Sequence, residues 1–93
     1  MKILDFDWDP DKARSNEKKH GVSFQKAEEC FFNPHYCDKS GRKGELRYRL
    51  LGRTDGGEYL AVVFAMKPEY IARVISVREM DESERRIYQK KVR

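Results

Sequence analysis

A chain of 93 residues with 20 Lys and Arg against 16 Asp and Glu carries a formal net charge of +4. That length provides one modest core, burying roughly two-thirds of the unfolded surface at most, and excludes a second domain, so residues 1–93 are expected to fold as one. Both charge signs are interspersed, which excludes a polycation and fits a nucleic-acid partner, an acidic protein partner or an ordinary solvated surface.

The N-terminal MKILDFDW is too acidic, and too short in its apolar run, for a signal peptide. No apolar stretch reaches the length of a membrane span, so a cytoplasmic protein without membrane contact is expected. Leu4, Phe6 and Trp8 alternate with Asp5 and Asp7, which reads as a short strand with one apolar face. In DPDKARSNEKKHG, Asp9 caps a helix, Pro10 takes its first position, Lys18 and Lys19 fill the last turn and Gly21 ends it. Ser23 is expected to cap a second helix, FQKAEECFF, whose Phe24, Ala27 and Phe31 share a face and which stops at Asn33 and Pro34.

A short edge strand near Tyr36 and an exposed loop from Lys39 to Gly44 follow. The next strand, LRYRLLGRT, places Leu46, Tyr48 and Leu50 on one face and Arg47, Arg49, Leu51 and Arg53 on the other. After the turn at Asp55 to Gly57, YLAVVFAM is apolar on both faces, as a central strand requires. A turn at Lys67 to Glu69 leads to the last strand, Tyr70 to Arg78, completing an antiparallel meander. Asp81 and Glu84 have capping-box spacing for a third helix whose apolar stripe is Ile87, Tyr88 and Val92. The order amounts to an α+β domain: an N-terminal strand, two helices, a meander sheet and a C-terminal helix.

The two cysteines, Cys30 and Cys37, lack the paired spacing of a zinc site and read as reduced thiols, Cys30 as a small core residue. No metal and no cofactor are expected. Trp8 and Phe6 read as core rather than as base-stacking platforms, because they share the apolar face of one strand.

Four collinear stretches, FDWDPDKARSNEKKHGVSFQKA, GELRYRLLGRT, YLAVVF and RVISVREMDESERRIY, resemble the BrnT-type toxins of bacterial type II toxin–antitoxin pairs. The resemblance implies a fold similar to RelE-like ribonucleases, metal-free RNA cleavage that arrests translation, and neutralisation by a BrnA-like ribbon-helix-helix antitoxin. Through that antitoxin it also implies an indirect link to operator DNA. The chain departs from the family's pattern at Arg42 and Lys43 and in AMKPEY, which bears on the catalytic acid or base and on phosphate binding. The alternative is an antitoxin-binding or nucleic-acid-binding protein with weak or no catalysis.

Metal-free cleavage requires the 2′-hydroxyl deprotonated, the phosphorane charge stabilised and the 5′-oxygen protonated. Guanidinium groups suit the second task, being always charged and forked to match two phosphate oxygens. Arg53, Arg73 and Arg78 are the first candidates, and Arg47 and Arg49 the next. Each reads equally as a surface ion pair. His20, at the end of the first helix, suits proton transfer. The alternative reading is a packing residue that hydrogen-bonds a carbonyl at the helix end. Lys12 and Lys19 could steer RNA or simply be solvated, and Tyr88 could contact RNA in a groove that Glu84 also faces, or pack at the rim. Arg73 and Arg78 are five positions apart, so a regular strand sends them to opposite faces unless a bulge or the strand end re-aims one. Arg78, at the strand end, is the one expected to turn.

Overall fold

A computed structural model describes residues 2–41 and 46–92. Its elements are β1 (Asp5–Asp7), α1 (Pro10–His20), α2 (Gln25–Phe32), β2 (His35–Lys39), β3 (Tyr48–Arg53), β4 (Tyr59–Lys67), β5 (Ile71–Glu79) and α3 (Glu82–Lys91). The strands form one sheet in the order β1-β5-β4-β3-β2. All neighbours are antiparallel except β1, which runs parallel to β5 and pairs Asp7 with Arg73. The α+β class and the meander expected from the sequence are therefore present.

Each face of the sheet carries its own apolar cluster, because β3 and β4 alternate between them. Leu50, Leu60, Val62, Phe64, Ala72, Val74 and Val77 pack beneath Val22, Phe24, Ala27 and Cys30, with Phe6 and Trp8 at their margin. Leu51 and Ala61 face the other way and meet Met80 and Tyr88 of the α3 segment. Helices α1 and α2 thus cover one face and α3 the other.

α1 starts and stops as its sequence dictates. The Asp9 side chain accepts from the Asp11 N–H at 2.9 Å, and Gly21 takes the left-handed conformation at φ 72° with its N–H on the Glu17 carbonyl. Its one buried residue is polar: Asn16 donates to the Val77 carbonyl at 2.8 Å and to the Val22 carbonyl, and accepts from the Val77 N–H. A short helix poor in apolar residues is thereby pegged to β5 by one amide that satisfies three backbone groups.

Ser23 does not cap α2. The helix begins at Gln25 with Phe24 in the cap position and no side-chain cap bond, because Phe24 is drawn into the core at 1% exposure. α2 lies close on β3, where a Cβ on Gly52 would stand 2.9 Å from the Cys30 Cβ and 3.0 Å from its carbonyl oxygen. The edge strand runs through Lys39, which pairs with Tyr48, so the loop expected from Lys39 starts one residue later. Arg42, Lys43 and Gly44 lie outside the described residues. β5 likewise starts at Ile71 rather than Tyr70, since Glu69 and Tyr70 both sit at positive φ, 66° and 63°, and cannot extend the ladder.

Along β5 the register slips between Ser76, opposite Val63, and Val74, opposite Phe64, leaving Ile75 as a bulge. The alternation is thus broken at Ile75, in mid-strand, and not at the strand end beside Arg78. Arg73 then lies opposite Ala65 and Arg78 opposite Ala61. Those alanines are four apart on one strand, so both arginines share a face.

Candidate functional site

The shared face is the one that α3 partly covers. Register puts Arg49 opposite Val63 and Arg53 opposite Tyr59, on that same side. Four of the arginines singled out in the sequence, Arg49, Arg53, Arg73 and Arg78, are therefore gathered on one face. Their partners differ.

At the start of α3, the Arg78 guanidinium forks onto Glu84 with Nη1 2.6 Å from Oε1 and Nη2 2.9 Å from Oε2. Arg49 forks onto Asp38 at 3.1 and 2.7 Å and reaches the same Glu84 at 3.4 Å. Glu84 also closes the capping box: its Oε1 accepts from the Asp81 N–H at 3.0 Å, and its own N–H donates to the Asp81 carboxylate at 2.8 Å. Its side chain is 2% exposed. Burial pushes the Glu84 carboxyl up, but the Arg78 guanidinium and the Asp81 N–H together outweigh it and hold the group below the usual carboxylate range. Two guanidiniums and two carboxylates make a neutral, preorganised cluster.

Arg73 stands beside β1. Its Nη1 is 3.5 Å from Asp7 Oδ2, the oxygen that also accepts from Lys67 Nζ at 2.7 Å. The other oxygen of Asp7 is buried without a hydrogen-bond partner among the described residues.

Arg53 is exposed and stacks 4.8 Å from the centre of the Tyr59 ring. Arg85 of α3 approaches the same ring at 3.9 Å, and Tyr59 packs edge-on against Tyr88. Tyr88 is 7% exposed, and its hydroxyl donates to the Pro34 carbonyl at 3.1 Å. Burial pushes that hydroxyl's pKa up.

Lys12, Lys19 and His20 are not brought to this face. They ride on α1, which packs through Ala13 and Asn16 against the opposite side of the sheet. Both lysines are exposed, and His20 is half-buried with no side-chain hydrogen bond among the described residues. Arg47 lies just before β3, its carbonyl accepting from the Ser40 N–H. Cys30 is buried, which pushes its thiol up to about 12 and leaves it unreactive. Among the described residues no three His, Cys, Asp or Glu side chains are grouped to hold a metal ion, and no helix is long and apolar enough to cross a membrane.

Asp7, Asp38, Lys67, Tyr59 and Arg85 join the face without having been singled out as site residues. Asp7 carried a signal, since its alternation with Phe6 sends it away from the core. Arg85 carried none, because an arginine on a charged helix declares no direction.

The family model of the ribonuclease toxin BrnT of type II toxin–antitoxin systems matches residues 8–84. The chain belongs to that family. The crystal structure of the Brucella abortus ribonuclease toxin BrnT, solved at 1.1 Å, superposes with a TM-score of 0.70 at 23% identity, covering 86% of this chain and all of that one. That likeness shows a shared BrnT fold. No match to a curated protein is found by sequence. The family match runs from Trp8 to Glu84, so it takes in the Arg49–Glu84–Arg78 cluster, while Asp7 and Arg85 each lie one residue outside it.

Proposed function

We propose that the chain acts along its whole length as one toxin domain in the cytoplasm, cleaving RNA without a metal and so arresting translation. A BrnA-like ribbon-helix-helix antitoxin neutralises it and ties the complex to operator DNA. The observation that carries this reading, beside family membership, is the gathering of Arg49, Arg53, Arg73 and Arg78 on one sheet face. Charge stabilisation of the phosphorane falls to Arg73, whose guanidinium is not forked onto a carboxylate. Arg49 and Arg78, neutralised by Asp38 and Glu84, order the neighbouring end of the face without adding net charge to it. Lys12 and Lys19 steer RNA from the α1 side, whereas His20, on that same side, stands across the sheet from the arginines and out of hydrogen-bond reach of a phosphorane held by them.

Incubation of the purified protein with RNA in excess EDTA tests this. Cleavage should proceed and leave 2′,3′-cyclic phosphate and 5′-hydroxyl ends, since attack by the neighbouring 2′-oxygen expels the 5′-oxygen. Arg73→Ala should slow cleavage about 10²- to 10³-fold while retaining the circular dichroism of the parent. RNA that stays intact in EDTA and is cut on adding magnesium would overturn the metal-free mechanism.

The internal neutralisation of Arg49 and Arg78 favours a second reading, an antitoxin-binding protein without catalysis. Expression alone would then leave cellular RNA intact while the neighbouring antitoxin still copurifies.

A further inference from the structure

We propose that Tyr59 with Arg53 and Arg85 forms a stacking platform that holds a nucleotide of the RNA substrate, outside the phosphate-stabilising groups proposed above. The inference rests on the reading of the chain as a ribonuclease and names a substrate subsite for it. Among the described residues, Arg14, Arg49, Arg73 and Arg78 each have a carboxylate of their own chain within ion-pair distance. Arg53 and Arg85 have none. Instead both converge on one aromatic ring, at 4.8 and 3.9 Å from its centre.

Two like charges held at one half-buried ring repel each other, and an anion placed between or beside them removes that cost. The ring restricts both guanidiniums, so their planes are already ordered when a ligand arrives. Guanidinium planes and tyrosine rings are the surfaces on which unstacked RNA bases lie, and a guanidinium also forks onto phosphate.

The surroundings leave room on both sides. Arg53 fronts an open pocket of about 380 Å³ with Asn33, Thr54, Asp55 and Tyr88. Arg85 and Tyr59 front another, of about 340 Å³, with Gly57, Glu58 and Glu79. Asn33 is fixed by donating to the Arg53 carbonyl at 2.8 Å and to Asp55 at 3.0 Å, so the rim of the first pocket is rigid. Carboxylates at both rims offer acceptors for the amino and imino donors of a base edge, while the arginines take the phosphate. The Thr54 to Glu58 turn that links β3 to β4 is braced in the same place: the Glu58 N–H donates to the Thr54 hydroxyl at 3.0 Å. Gly57, at φ 92°, keeps the approach of Arg53 open, because a Cβ there would stand 3.3 Å from its Nη2.

Binding of a short fluorescent 2′-O-methyl RNA, which lacks the attacking hydroxyl, separates this subsite from catalysis. Arg85→Ala should weaken its dissociation constant about tenfold, the scale of losing one base stack. Arg85→Lys should recover little of that, since an ammonium has no planar face. Arg86→Ala, an exposed arginine on the same helix with no contact to the ring, should change affinity less than twofold. Full rescue by Arg85→Lys, or an equal loss in Arg86→Ala, would reduce the platform to diffuse charge and overturn it. So would wild-type RNA affinity in Arg85→Ala combined with weakened capture of the antitoxin. If Arg85→Ala binds like the parent while the parent still cleaves RNA, the subsite fails and the ribonuclease reading stands. If the parent neither binds nor cleaves RNA, both fail.

Discussion

Glu84 serves the helix and the sheet with one carboxylate. It closes the cap of α3 through the Asp81 N–H and holds the Arg78 and Arg49 guanidiniums, all from a site that water scarcely reaches. Removing it leaves Arg78 without its carboxylate partner and the helix start open, so Glu84→Ala should cost about 3 kcal/mol in urea denaturation. The sign of its pH dependence follows from a folded-state pKa below the ordinary glutamate value of 4.5. Its stabilisation is complete above that value and is lost as pH falls through the lower, folded one. Glu84→Gln should therefore blunt the acid limb of the stability profile; an unchanged acid limb would show that the cluster does not carry it. The sequence placed Glu84 correctly in a capping box, from spacing to Asp81 alone. That Arg78 is answered by a carboxylate six residues downstream was not legible, because spacing shows a cap but not which other strand's charge the same oxygens meet.

Among the elements, α2 and β3 approach closely at Gly52. A Cβ at Gly52 would meet both the Cβ and the carbonyl oxygen of Cys30, atoms that do not depend on the cysteine sulfur. Gly52→Ala should destabilise by about 1–3 kcal/mol by thermal or urea melting, and Cys30→Ala should not rescue it. Rescue by Cys30→Ala would place the clash at the thiol instead. Element ends written in local chemistry were readable: Asp9, Pro10 and Gly21 for α1, and Asp81 with Glu84 for α3. The start of α2 was not, since burial of Phe24 decided it over the hydroxyl of Ser23. The bulge at Ile75 was also hidden. VISVR reads as alternating either way, and only pairing against β4 shows that one residue is left over. That slip, rather than a turn of Arg78 at the strand end, puts both arginines on one face.

At the scale of the molecule, the sheet is graded from its middle. β4 is paired on both sides and buries Leu60, Ala61, Val62 and Phe64, whereas β1 is a three-residue edge strand. Amides of β4 should therefore exchange with deuterium last, near the global unfolding free energy, and those of β1 through local opening at much lower cost. Equal protection in the two strands would contradict the grading. The centrality of YLAVVFAM was plain from its apolar run. The parallel seat of β1 was not, since a short alternating strand says nothing of its neighbour.

That seat dictates the order of assembly during synthesis. Asp7 is made early, yet its cation partner Lys67 comes 60 residues later and Arg73 follows. On the ribosome, β1 must wait without a ladder until β5 has cleared the exit tunnel, and closing so long a span makes this a late contact in folding. A chain released before β5 has no complete arginine face. The half of that face built from Asp7, Lys67 and Arg73 therefore comes together only after β5 has emerged.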